Sequence, residues 1–195
     1  EDKDILDDVI LNGGKAILTS NKHKTGSDRI FECYEKLDLK NIDYIINLQG
    51  DEPNININDL RHLIKLIKVN KPEIGTLASE INDQSEINNE NIVKVITKNK
   101  ISNTNFPLAL DFKRKVKDLK PTIYHHLGIY GYKPDIWKKI IKFKQTNNEI
   151  KYRLEQLRAM ENGIKINVAL AKFCSKGIDT MEDYLALKKI LEYKS

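Results

Sequence analysis

The chain has 195 residues, 40% of them apolar and 31% charged, with a formal net charge of +5, a balance that suits one soluble globular domain with a real core. No apolar run approaches the ~18–20 residues of a membrane span, and no basic stretch followed by an apolar one opens the sequence, so a cytoplasmic location is expected. Only two cysteines occur, Cys33 and Cys174, far apart and without metal-type spacing, which excludes a disulfide framework and a zinc site and leaves two free thiols.

The lysines are dispersed among Ile and Asn instead of clustering with aromatics, which argues against nucleic acid. Mild basicity suits phosphate-bearing small molecules. In chain order, the first element is a helix. Ile5, Leu6, Val9 and Ile10 recur at helical spacing, and Asn12-Gly13-Gly14 supplies a left-handed stop. Residues 15–19 read as a short strand leading into a polar loop at 20–26. Ser27 or Asp28, either a good N-cap, then starts a helix that turns Ile30, Phe31, Tyr34 and Leu37 inward. Residues 44–48 form the next, buried strand, which ends in Gln49-Gly50-Asp51-Glu52-Pro53, where the proline prevents the strand from continuing. Ligands collect outside the carboxyl ends of strands in open α/β sheets, so Asp51 is either a metal holder facing a phosphate or a turn acid capping the next element.

Asn58 is expected to cap a helix whose Leu60, Leu63, Ile64 and Ile67 make one stripe. Residues 74–81 and 92–97 read as strands around a polar loop at 82–91, and the alternation of helix and strand is that of a doubly wound sheet. From 101 to 132 strands follow without intervening helices, which predicts a β-rich insertion on that sheet. Within it, strand alternation puts His126, Gly128, Tyr130 and Tyr132 on one face and Leu127, Ile129 and Gly131 on the other. His126 and Tyr130 then flank a bare Gly128. That is a notch for a ligand on one reading and a sheet surface with a satisfied histidine on the other.

Residues 149–161 read as one helix with Ile150, Leu154 and Leu157 inward, Glu155 and Gln156 beside that stripe, and Gly163 as its stop. Ile164, Ile166, Val168 and Leu170 alternate as a strand. Gly177-Ile178-Asp179-Thr180 leads into a last helix, where Thr180 with Asp183 has capping-box spacing and Asp179 reads as helix-start chemistry.

The runs HKTGSDR (23–29), NLQGDEP (47–53), NENIVKVI (89–96), HLGIYGYK (126–133), LEQLRAMENGIKINVALA (154–171) and GIDTMEDY (177–184) stand in one order over nearly all of the chain. Together they resemble the cytidylyltransferases that activate 3-deoxy-manno-octulosonate (Kdo) as CMP-Kdo for lipopolysaccharide. The resemblance implies an α/β, Rossmann-like nucleotidyltransferase fold of the GT-A type, in three layers, with a mixed, mainly parallel sheet. It implies a homodimer and a Mg²⁺-dependent reaction in which the anomeric hydroxyl of Kdo attacks the α-phosphate of CTP and pyrophosphate leaves. By motif, Asp51 and Asp179 are the catalytic Mg²⁺ ligands, while Gln49, His126, Tyr130, Glu155 and Gln156 grip Kdo. Arg114 in ALDFKR joins them. Lys24, Thr25, Gly26 and Ser27 line the cytosine and ribose site, with Arg29 nearby.

One departure stands out. The family's opening strand and glycine-containing loop, rich in Arg, Ser and Lys, have no match, so residues 1–195 are expected to be a single, N-terminally truncated domain lacking at least the ~30 residues of a βαβ unit and inactive alone. The rival expectations are a CMP-sialic acid synthetase and a non-catalytic remnant serving as a binding or dimerisation module.

Overall fold

The computed structural model describes residues 2–23, 25–50, 53–117, 120–173, 178 and 180–192. In chain order the elements are α1 (Lys3–Leu11), α2 (Gly26–Leu37), β1 (Ile45–Asn47), α3 (Ile57–Asn70), β2 (Ile74–Ser79), α4 (Gln84–Asn88), β3 (Lys94–Thr97), β4 (Ala109–Lys113), β5 (Ile123–Tyr132), α5 (Pro134–Ile140), α6 (Asn147–Tyr152), α7 (Gln156–Glu161), β6 (Ile166–Ala171) and α8 (Met181–Glu192).

The six strands form one sheet in the order β4-β3-β5-β2-β6, with β1 also on β5. Only β2 and β6 pair in parallel; β1, β2 and β3 each run antiparallel to β5, and β4 antiparallel to β3. By direction, therefore, β1, β2, β3 and β6 share one sense while β4 and β5 oppose it. The mixed sheet of the sequence reading is present, with most strands aligned, but an inverted β5 at its centre makes most ladders antiparallel. Because β4 and β5 run the same way on either side of β3, the chain between them has to cross back over the sheet.

β5 organises the sheet. Along one edge it pairs β2, with a bulge between Thr76↔Tyr130 and Leu77↔Leu127 that leaves Gly128 and Ile129 without partners there. Along the other edge it serves two strands in turn, β3 opposite 123–125 and β1 opposite 130–132. The sheet thus forks at the middle of β5.

Two apolar layers cover the sheet. Leu63, Leu66 and Ile67 of α3 pack with Leu77, Leu127 and Ile129 on one face. On the other, Phe31, Trp137, Leu154 and Leu157 pack with Tyr124, Tyr130 and Tyr132, so β5 sends its aromatics to one side and its aliphatics to the other. A side chain of this size contributes about 1.5–3 kcal/mol when fully buried.

Several expectations change. Residues 15–19 form no strand, because no other strand lies alongside them among the described residues. Only 45–47 of the expected strand 44–48 pair, Ile45 and Ile46 are half-buried, and Leu48 is exposed. The cap of α2 is Thr25, not Ser27 or Asp28, and that of α3 is Asn56, not Asn58. In each case a side-chain oxygen accepts from a backbone N–H two or three residues on, and the shift moves the helix start accordingly. The polar stretch 82–91 contains α4, capped by Asp83 and anchored by buried Ile87.

The helix expected over 149–161 is two, α6 and α7. Arg153 takes a left-handed conformation at φ 54°, Leu154 N donates to Glu149 O, and Ile150 is left exposed. α5, with Pro134 in its first turn and Trp137 at its centre, was not among the expected elements. The glycine stops at Gly13 and Gly163, both at φ 78°, are where the sequence put them. Cys33 is a free thiol, and Cys174 and Gly177 lie outside the described residues.

Candidate active site

A cleft of about 1490 Å³ opens over the fork in β5. Its floor is the notch at Gly128. The chain leaving β1 lays Gln49 into it, so that a Cβ on Gly128 would lie 3.4 Å from Gln49 Nε2. His126 and Tyr130 stand on either side with ring centroids 5.3 Å apart. His126 is a satisfied sheet histidine, as one of the two sequence readings has it, and it also lines the cleft.

The chemistry of His126 follows from its partners. Its Nε2 lies 3.0 Å from Thr76 Oγ1, and that hydroxyl is 2.7 Å from Ile129 O at the bulge. Thr76 has a single proton, and the shorter bond to Ile129 O takes it. His126 Nε2 must then be the donor, which leaves Nδ1 as an acceptor. Burial, then the nearby His125, pushes the His126 pKa down to about 3, so the ring is neutral at ordinary pH. Burial also raises the pKa values of Tyr130 and Tyr132, helped by the charge of Glu155, and keeps both phenols protonated.

The other wall is the start of α2. Thr25 Oγ1 accepts from Asp28 N at 3.3 Å, which leaves Gly26 and Ser27 at the first helical positions. Glu155, which precedes α7, crosses to them: Oε2 accepts from Ser27 Oγ at 2.7 Å and Oε1 from Gly26 N at 3.3 Å. Arg29 Nη1 donates to Thr19 Oγ1 at 3.4 Å. The loop before α2 is tied down by Glu32, which accepts from Ser20 N at 2.9 Å and meets Lys36 Nζ at 2.6 Å and His23 Nε2. Lys36, then His23 and the Ser20 amide, hold the Glu32 carboxyl down to about 2.

Arg114 at the rim and buried Lys94 behind it both turn onto backbone oxygens. Arg114 donates from Nε to Tyr152 O at 3.0 Å, from Nη1 to Glu90 O at 3.1 Å, and from Nη2 to Arg153 O at 3.4 Å. It thereby satisfies carbonyls released at the end of α6. Lys94, with 0% of its surface exposed, spends its three protons on Asn89 O at 2.6 Å, Ile92 O at 2.9 Å and Arg114 O at 2.9 Å. Desolvation and the Arg114 charge lower its pKa. Within α7, buried Arg158 forks onto Glu149 of α6, Nε lying 2.9 Å from Oε2.

Of the residues named from sequence, Gln49, His126, Tyr130, Glu155, Gln156, Arg114, Gly26, Ser27 and Arg29 all line this cleft, and Thr25 stands beside it as the α2 cap. Lys24, Asp51 and Asp179 lie outside the described residues. Sequence reasoning missed Thr76, Lys94, Glu32 and the pair His125 Nδ1 and Glu86 Oε2, 3.2 Å apart on the cleft wall. A lysine in the middle of an apolar strand run was the one signal for Lys94. Among the described residues no three His, Cys, Asp or Glu side chains gather as a metal cluster, and no helix is long and apolar enough to cross a membrane.

A cytidylyltransferase family model matches residues 1–166. The 3-deoxy-manno-octulosonate cytidylyltransferase of Thermodesulfovibrio yellowstonii is 42% identical over 201 residues, covering 98% of this chain and 79% of that protein. Its counterpart from Bartonella tribocorum is 34% identical over 96% of this chain and 77% of that protein. Among solved structures, CMP:2-keto-3-deoxy-manno-octonic acid synthetase complexed with CTP superposes with a TM-score of 0.88 at 29% identity, over 100% of this chain and 79% of that one. With the sheet, the cleft and these relatives in agreement, the chain belongs to the cytidylyltransferase family, among the 3-deoxy-manno-octulosonate cytidylyltransferases.

Proposed function

We propose that the cleft over β5 serves the transfer of CMP from CTP to the anomeric hydroxyl of Kdo, giving CMP-Kdo and pyrophosphate. The observation that carries this reading is the meeting of Glu155 with Gly26 and Ser27. It brings the sugar-side motifs, HLGIYGY and LEQLR, and the nucleotide-side motif, HKTGSDR, into one cleft. The relatives named above bear the Kdo activity, and no observation favours the sialic acid or remnant alternatives.

On this reading the chain contributes position and polarity. Phosphoryl transfer depends mainly on alignment and charge neutralisation, so the floor has to hold a polyhydroxy acid in one orientation. Gln49 offers both an amide donor and an acceptor, Tyr130 a phenol that stays protonated, and His126 a neutral ring with an acceptor nitrogen. Gln156 at the start of α7 and Arg114 at the rim extend the same wall. Gly26 and Ser27, with Lys24 and Thr25, take the nucleotide, and Arg29 lies behind them.

Asp51 and Asp179 would hold Mg²⁺. The donor set fits, since Mg²⁺ takes one or two protein carboxylates and completes its shell with phosphate oxygens and water. In sequence Asp51 comes after β1 and Asp179 after β6, and these two strands share one sense and so end at the same edge of the sheet. When bound, the ion supplies charge neutralisation at the phosphates. The same reading includes a homodimer, to be checked by light scattering.

Calorimetric titration with Kdo tests the proposal. Kdo should bind, and Gln49→Ala should weaken it about tenfold, the loss of one or two hydrogen bonds at ~1 kcal/mol each. Failure of both Kdo and CTP to bind would sink the reading, and a preference for a sialic acid would transfer it to the sister chemistry. Residues 1–195 alone are expected not to turn over CTP; pyrophosphate release that requires both CTP and Kdo and is lost in Asp51→Ala would overturn that expectation.

A further inference from the structure

Ser27 belongs by sequence to the nucleotide side of the cleft, but its hydroxyl is spent elsewhere. It donates to Glu155 Oε2 at 2.7 Å, across 128 residues of sequence, while Gly26 N approaches Oε1 of the same carboxylate at 3.3 Å. Ser27 and Tyr132 line the same cleft. Tyr132 is itself fixed, buried on β5 with its ring 4.5 Å from that of Trp137. Two polar contacts therefore run from the first turn of α2 to an otherwise exposed carboxylate at the start of α7.

Glu155 has little else to hold it. No side-chain cap fixes it to α7, and Arg153, two residues earlier, sits in a left-handed turn that sets the direction of the backbone but not of the carboxylate. A free glutamate samples several rotamers, and a ligand that needs one of them must order the side chain at its own expense. With both oxygens engaged, the carboxylate is oriented before any ligand arrives.

We propose that Ser27 is a positioning residue for Glu155: its hydroxyl orients the carboxylate that meets the sugar acid, so that the order of the first turn of α2 and the orientation of the sugar wall are one event. The inference rests on the reading of Glu155 as a Kdo contact. It adds to that reading a residue on the nucleotide side that sets affinity for the sugar.

A double-mutant cycle read by Kdo titration tests it. Ser27→Ala should weaken Kdo binding about five- to tenfold, the size of coupling expected between residues in direct contact. Ser27→Thr, which keeps the hydroxyl, should stay within about twofold of the unmodified protein. In the Glu155→Ala background, where Kdo is still held by Gln49, His126 and Tyr130, Ser27→Ala should have no further effect. A wall weakened only by loss of packing would not show that non-additivity or the rescue by threonine. The proposal is overturned if Ser27→Ala leaves Kdo affinity within twofold, or if it costs the same factor with and without Glu155. Kdo binding with an additive cycle would refute the positioning role alone, whereas no Kdo binding by the unmodified protein would refute the functional reading with it.

Discussion

Gly128 and Gly131, three positions apart on β5, do opposite jobs. A Cβ at Gly131 would lie 2.5 Å from Ile67 Cδ1 and 2.9 Å from Ile46 Cδ1, inside packed apolar side chains. Gly131→Ala should therefore cost about 1–3 kcal/mol by overpacking, measured by urea unfolding. At Gly128 the atoms nearest the added carbon are those of the movable amide of Gln49, so Gly128→Ala should stay within about 1 kcal/mol of the unmodified protein while weakening Kdo binding. His126 carries a pH signature. Its folded pKa is depressed to about 3 from the model-peptide value of 6.5, so between those values the unfolded chain holds the extra proton. Stability from this group is complete above about pH 6.5 and is lost as pH falls toward 3. Partly buried His125, also pushed down by desolvation, acts in the same sense, while Glu32, depressed from 4.5 to about 2, changes only below pH 4.5. The melting temperature should fall between pH 6.5 and 4.5, and His126→Gln should flatten that slope. An unchanged slope in the variant would count against neutral burial of His126.

At the level of elements, periodicity was enough for α1, α3, β3, β5 and β6, whose apolar residues recur at the spacing of the structure they adopt. It failed where distant groups decide. Nothing local in 149–161 announces a break, because the carbonyls it frees at Tyr152 and Arg153 are taken up by Arg114, 38 and 39 residues away. The candidate site shows the same limit. Motifs named its residues, but the bond from Ser27 to Glu155 and the turn of Arg114 onto backbone oxygens depend on the fold and leave no mark in a linear pattern. Lys94 is the sharpest instance. Lys94→Met keeps the length of the side chain but strips three carbonyls of their donor, and should cost at least about 2 kcal/mol, given ~1–3 kcal/mol per unsatisfied buried group. Arg158→Met, which leaves Glu149 buried and unpaired, should cost about 3–5 kcal/mol by the same denaturant measurement.

For the molecule as a whole, the reversed β5 joins the fold to its site. A doubly wound sheet ordinarily opens its crevice where strand order reverses. Here the opening lies where one strand exchanges neighbours, β3 for β1, and where its ladder with β2 slips at the bulge. Gly128 and Ile129 have no strand partner on either edge among the described residues, and the Thr76 hydroxyl, bonded to Ile129 O, bridges the slip. Solvent access to the backbone should then run against position in the sheet. In deuterated water the amides of Gly128 and Ile129 should exchange faster than those of Tyr124 or Gly131 on the same strand, though the strand is central. Kdo seated on the notch should slow them selectively, making these two amides a reporter of occupancy that requires no turnover.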